Sequence, residues 1–259
     1  MRCVQDNGLR YLQFPGLAIA PGLWHGILTR FLSEGDGRRT PLNMGLNCGD
    51  SDRRVWANRR GLMTAIGSRR AVFARQIHAD QVGVWDHVQD QLLNGEHVDL
   101  PGDALVTDVP GTVLIIQTAD CQSVLLFDPV KRVIGNVHSG WRGSIRNVVG
   151  RTVRTMMERY DCRPQDLICG IGPSLGPCCA EFVHFRREIP EAYWGYRREG
   201  DLFDFWQMSV DQLAQAGVAR RSISVSGLCT RCNQHLFYSY RGEGKKTGRF
   251  VAAIQLKSE

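Results

Sequence analysis

Apolar residues in this chain fall mostly into short runs bounded by glycine, proline or polar residues. That pattern suits buried β-strands better than long amphipathic helices. Seven runs predict strands, at residues 72–77, 112–117, 123–127, 133–137, 167–171, 223–226 and 250–256. Two stretches carry the helical period instead. Across residues 144–159 the apolar Ile145, Val148, Val149, Val153, Met156 and Met157 recur at helical spacing, and Arg146, Asn147, Arg151, Arg154 and Glu158 fill the opposite face. Residues 204–217 form a second, weaker helix with Gly217 at the position just past its end. Residues 33–40, 95–102 and 242–248 read as loops. Strands outnumber helices, so the expected fold is an α/β sandwich with a mixed β-sheet.

Composition narrows the function classes. Of 259 residues, 43% are hydrophobic and 22% charged, which excludes a mostly disordered chain. Four of the 32 basic residues are lysine, so 28 are arginine, the cation that matches planar phosphate and carboxylate groups. Most of these belong on a solvated surface. Aspartate and glutamate are interspersed among them, which argues against a nucleic-acid partner despite the net charge of +6. No run of 18 apolar residues exists, so no membrane span is expected. Residues 17–32 are apolar, but Pro21, Gly22, His25 and Arg30 interrupt them and no small-residue cleavage site follows. A signal peptide is therefore not expected. Nine cysteines are an odd number in a chain too large to need staples. They imply reduced thiols and a cytoplasmic protein, with any special cysteine acting as ligand or nucleophile.

Three segments concentrate unusual side chains. Arg75-Gln76-Ile77-His78 closes a predicted strand. Gln117-Thr118-Ala119-Asp120-Cys121 connects two apolar runs. Asn136-Val137-His138-Ser139-Gly140-Trp141-Arg142-Gly143 leads from a strand into the amphipathic helix. The glycines of the third segment suggest a helix N-terminus with free backbone N–H groups, where Arg142 adds a forked cation for phosphate or carboxylate. His78, Cys121 and His138 together offer two imidazoles and a thiolate, a ligand set that leaves a fourth position open on a catalytic zinc. The spacings of 43 and 17 residues are not those of a zinc finger. The same residues also suit a second chemistry, with Cys121 as a thiolate nucleophile and His138 as its base. Asp120 adjoins Cys121. It is placed either to orient an imidazole and shuttle protons or to cap a turn.

The motifs taken together resemble the YfiH family, also described as laccase-domain or polyphenol-oxidase-like. The matching stretches are Asn43-Met44-Gly45-Leu46-Asn47-Cys48-Gly49-Asp50, Gln76-Ile77-His78, Thr118-Ala119-Asp120-Cys121, Val137-His138-Ser139-Gly140-Trp141-Arg142-Gly143 and Gly170-Ile171-Gly172-Pro173-Ser174-Leu175-Gly176. Gly227-Leu228-Cys229-Thr230, Phe237-Tyr238-Ser239-Tyr240-Arg241 and Gly248-Arg249 complete the set. Two departures flank the ligands: Ser139 stands where alanine is expected, and Gln122-Ser123 where a Pro-Val pair is usual. The resemblance implies one domain over residues 1–259 and a zinc held by His78, Cys121 and His138, with copper admitted in the same place. It implies catalytic roles for Cys121, His138 and Asp120, and substrate-binding roles for Arg142, Arg241, Arg59, Asn43 and Gln76. The implied activities are phosphorolysis of adenosine, inosine and methylthioadenosine, and deamination of adenosine. An alternative in the family is an amidase that removes L-serine from UDP-MurNAc-L-Ser. The expected partners are small molecules, a nucleoside and phosphate, and a homodimer is admitted.

The word laccase can be tested by counting. A multicopper cluster needs several histidines in His-x-His pairs, whereas this chain has seven histidines and no such pair. Cys229-x-x-Cys232-x-x-His235 is expected to have no second cysteine pair nearby to complete four ligands and reads as structural. The vicinal Cys178-Cys179 reads as small buried packing. Trp141 is expected in the core, although its ring could also stack a purine.

Overall fold

The computed structural model describes residues 1–32, 40–92 and 96–258. Among them lie thirteen strands. In chain order these are β1 (Arg2–Asp6), β2 (Leu9–Gln13), β3 (Leu23–Leu28), β4 (Arg70–Arg75), β5 (Val82–Trp85), β6 (His97–Pro101), β7 (Ala104–Thr107), β8 (Thr112–Thr118), β9 (Gln122–Asp128), β10 (Val133–Ser139), β11 (Ile168–Ile171), β12 (Ile223–Val225) and β13 (Phe250–Leu256). They form two sheets, one ordered β1-β2-β3-β13-β8-β4-β6 and the other β12-β11-β9-β10-β7-β5. Both sheets are mixed. In the first, β4 runs parallel to β8 and β6 while β13 is antiparallel to β8 and β3. In the second, β10 is antiparallel to β7 and β9 while β5 is parallel to β7.

Both faces of each sheet are covered, which is why the central strands are apolar without alternation. Between the sheets pack Ile27, Val72, Leu114, Leu125, Ile134 and Ile254. The helix Asp52–Ile66 covers the seven-stranded sheet, with Leu62 and Met63 against Phe73, Ile115 and Val251. The helices Val148–Tyr160 and Phe205–Gln215 cover the other sheet, with Val153, Met156 and Leu213 in the cluster that holds Val106, Val124 and Leu126. The result is a four-layer α/β sandwich. Each fully buried aliphatic side chain contributes about 2 kcal/mol. A polar side chain also links the two sheets. Asn136 of β10 donates from Nδ2 to the carbonyls of Leu114 (3.0 Å) and Ala252 (2.8 Å), in β8 and β13 of the opposite sheet.

Several boundaries differ from the pattern-based expectation. The strand expected at 72–77 ends at Arg75, because the next N–H groups turn towards a buried carboxylate, described below. Ile77 is left 60% exposed. The helix expected over 144–159 is two helices, Trp141–Ile145 and Val148–Tyr160. The break falls at Asn147, whose φ is +56° and whose side chain accepts from the Gly150 N–H. Asparagine tolerates that left-handed geometry and caps the new start. Residues 97–101 of the expected loop 95–102 are strand β6, at a sheet edge where Pro101 costs no ladder bond. Residues 33–39 and Gly95 of the expected loops lie outside the described residues.

Candidate active site and metal centre

Strand register builds the centre. In β10 the last pair with β7 is Val137 with Ala104, and the last with β9 is Ser139 with Gln122. Asp103 and Cys121 therefore lie one residue beyond those ladders, flanking His138. Cys121 sits on the connection from β8 to β9, where the chain crosses from one sheet to the other. His78 arrives from β4 and adopts a left-handed φ of +59°, as does Asp120 at +93°. Such backbone is costly for residues with a side chain and marks an imposed geometry.

The ligating atoms of His78, Cys121 and His138 all lie within 4.8 Å of one another. The two imidazoles meet edge to face, with centroids 4.9 Å apart. His138 Nδ1 is 2.8 Å from the buried Asp103 carboxylate. The same carboxylate accepts the backbone N–H groups of Ile77, His78 and Ala79 at 3.2, 2.9 and 2.8 Å. Burial alone would raise the Asp103 pKa, but the His138 bond and these N–H donors outweigh it and the net shift is down. Burial would likewise raise the Cys121 thiol. The positive His138 ring and hydrogen bonds from both imidazoles reverse that, bringing it to about 6. Burial pulls His138 down, and the Cys121 thiolate with Asp103 lifts it to about 9. Both shifts run in the direction that favours a thiolate beside an imidazolium.

These residues fit a zinc ion. They supply one thiolate and two imidazoles, and Asp103 holds His138 Nδ1 so that Nε2 remains as donor. Gly140 completes the cradle. A Cβ there would lie 3.1 Å from His78 Cδ2 and 3.2 Å from Cys121 Sγ, crowding both ligands.

The centre opens into a cavity of about 520 Å³, a size that suits a small-molecule ligand. Trp141, Phe182, Phe205 and Tyr240 give it an aromatic side, and Arg142 and Arg241 also line it. Trp141 meets Phe182 edge to face at 5.9 Å and carries the Arg142 guanidinium 4.0 Å over its ring. It is a wall residue as well as a packing one. Among the described residues the Arg142 guanidinium has no hydrogen bond or ion pair. The expected long-helix N-terminus behind it is absent, since Trp141–Ile145 is a five-residue turn capped by Gly140.

The other expected site residues are placed differently. Arg241 donates to the Cys179 and Glu181 carbonyls. Gln76 lines the cavity, but its amide pairs with the Gln117 backbone. Arg59 is neither on the surface nor free. It is buried, donates to the Met44 carbonyl and lies 4.2 Å from the Phe73 ring centroid. Asn43 is buried and holds the N–H groups of Gly45 and Arg249. Asp120 lines the cavity, yet its carboxylate accepts from Thr230 (2.6 Å), Ser239 (2.7 Å) and the Arg241 N–H (2.5 Å). The acid that orients an imidazole is Asp103, which sequence reasoning missed. Its signal was faint, an acid lodged between Gly102 and the apolar run of β7. Arg249, named only as a motif residue, also lines the cavity.

Two cysteine readings change. Cys178 is exposed and not packed inside. Cys178 and Cys179 also meet Cys229 and Cys232, so a second cysteine pair does lie beside the Cys-x-x-Cys turn.

A model of the family described as multi-copper polyphenol oxidoreductase laccase matches residues 24–257. The chain is similar to the purine nucleoside phosphorylase YlmD of Geobacillus stearothermophilus, 33% identical over 247 residues and covering 90% of each chain. It is also 33% identical over 265 residues to a purine nucleoside phosphorylase of Deinococcus radiodurans, covering 96% of this chain and 94% of that one. Its fold is similar to the crystal structure of YlmD from Geobacillus stearothermophilus, with a TM-score of 0.81, 30% identity and 97% of both chains covered.

Proposed function

The chain belongs to the laccase-like YfiH family, and from that premise we propose that it is a zinc-dependent purine nucleoside enzyme. It cleaves adenosine, inosine and methylthioadenosine with phosphate and deaminates adenosine. The observation that carries this reading is one cavity with three metal-ligating side chains, an aromatic side and Arg142, whose guanidinium makes no other bond among the described residues.

His78, Cys121 and His138 would hold the metal, which when bound supplies Lewis acidity and lowers the pKa of water towards neutrality. The rest falls to the chain's own groups. Asp103 fixes the His138 ring and retains its proton at Nδ1. Trp141 and Phe182 offer apolar surface to a purine and exclude water from that side. Arg142 presents its fork to phosphate. Asp120 acts through the loops it ties together and is a positioning residue. The donor set also accepts a single copper ion. A multicopper cluster does not fit: of the seven histidines only His78 and His138 line the cavity, and His25 is buried with Nε2 bonded to the Phe14 N–H. The nine free thiols suit a reducing, cytoplasmic setting.

A second reading rests on a specific observation, the sequence Cys121–His138–Asp103. A nucleophile, a base and an orienting acid stand in hydrogen-bonded order, the arrangement of a cysteine hydrolase. It would release L-serine from UDP-MurNAc-L-Ser. One experiment separates the two. Metal-loaded and chelator-treated protein are given adenosine with phosphate, and separately UDP-MurNAc-L-Ser with its L-Ala counterpart. Adenine, inosine or hypoxanthine formed only by the loaded protein supports the first reading. No purine product from loaded protein overturns it, and serine release by the metal-free protein establishes the second.

A further inference from the structure

Four thiols gather about the turn that follows β11. Cys178 and Cys179 lie on one loop, Cys229 and Cys232 on another, and their sulfur atoms all lie within 4.8 Å of one another. Backbone pairing makes this meeting deliberate. Ser174 N–H donates to the Leu228 carbonyl at 3.2 Å and Thr230 N–H to the Ser174 carbonyl at 3.0 Å, which locks the two loops side by side.

The spacing is informative. Cys232 Sγ is 3.7 Å from Cys178 Sγ and 3.6 Å from Cys179 Sγ. A disulfide would bring two sulfurs to about 2.0 Å. The edge of a tetrahedron of thiolates about 2.3 Å from a central zinc is about 3.8 Å. The observed separations match the second figure.

We propose that Cys178, Cys179, Cys229 and Cys232 form a second metal site, a closed tetrathiolate centre for zinc, separate from His78, Cys121 and His138. Binding releases the thiol protons and involves no change of oxidation state. With four protein ligands it has no open position, so its role is structural. It pins two loops that serve the cavity. The first continues to Ala180 and Phe182 on the cavity wall, and the second carries Thr230, which holds Asp120. The inference does not depend on the proposed activity.

The test uses the full chain carrying Cys121→Ala and His138→Ala, which clears the first site. After loading with Zn²⁺ or Co²⁺ and desalting, one equivalent of metal is expected to remain. The cobalt form should show the intense charge-transfer and visible bands of tetrahedral tetrathiolate coordination. Adding Cys178→Ser and Cys232→Ser should remove both metal and bands. Absence of metal in the first protein, or bands that persist in the second, would overturn the proposal. A readout on the wild-type chain covers misfolding of the variants. All four thiols should resist iodoacetamide when zinc-loaded and react after chelation, as mapped by mass spectrometry. Equal labelling in both states, or recovery of a Cys–Cys disulfide that takes up no zinc after reduction, would also sink it.

Discussion

Asp103 Oδ1 lies 2.8 Å from His138 Nδ1, and the carboxylate that makes this bond also receives the backbone N–H of His78 at 2.9 Å. One buried acid therefore aims one imidazole directly and fixes the loop that carries the other. Asp103→Asn places an amide where three backbone donors need an acceptor. Metal affinity at the His78, Cys121, His138 centre should fall about 10–100-fold. Asp103→Ala should in addition cost about 3 kcal/mol of stability. Competition against a chromophoric chelator and urea unfolding measure the two effects. Unchanged metal affinity in both variants would remove Asp103 from the centre.

Gly140→Ala tests the cradle. The added methyl meets both the His78 ring and the Cys121 sulfur at just over 3 Å, so the ligands must spread. Metal binding should weaken by about tenfold, or about 1.4 kcal/mol, with little change in melting temperature of the metal-free protein. Wild-type affinity would show that the centre has slack.

Arg142→Ala separates the two proposed reactions. Loss of charge-assisted bonds to phosphate should raise its KM by about tenfold or more. Adenosine deamination, which uses no phosphate, should change less. Parallel steady-state assays decide this, and equal losses would assign Arg142 to the purine or to the fold.

His25 sets a pH limit remote from the site. Burial, with the Arg2 charge, holds its pKa down to about 4 from 6.5. The unfolded chain takes up a proton near pH 6.5 that the folded chain refuses until about pH 4. Stability is therefore complete above the upper value and falls as pH drops through the window, by at most about 3 kcal/mol. His25→Gln keeps an acceptor for the Phe14 N–H, and its unfolding midpoint should vary less than wild type between pH 7 and 4.5. Parallel curves for the two proteins would refute this.

Residues with local causes were legible. The apolar runs at 112–117, 123–127, 133–137 and 250–256 read as strands because both their faces are covered, and they are strands β8, β9, β10 and β13. His138 near the end of its strand and Cys121 between two strands could be read from the ends of those runs, whereas His78 lies beyond the end of β4 at Arg75; the family motifs marked the three as a set. What stayed hidden depends on partners distant in sequence. Asp103 matters only because β7 pairs with β10. Arg59 is buried because Met44 and Phe73 close over it. The split at Asn147 arises from a cap that also fits an uninterrupted helical period. The four-thiol cluster is assembled by loops more than fifty residues apart, so neither cysteine pair alone predicts the other.

The crossing of the chain at Cys121 has a consequence for folding. His78 leaves a strand of one sheet, His138 ends a strand of the other, and Cys121 lies between them. A chain whose sheets have not docked cannot present all three donors, so an ion held there latches the closed sandwich. Each tenfold excess of free metal over the dissociation constant then adds about 1.4 kcal/mol to the docked state. With an ion bound at this centre, metal supply would become a determinant of conformational stability, and occupancy would report that assembly is complete.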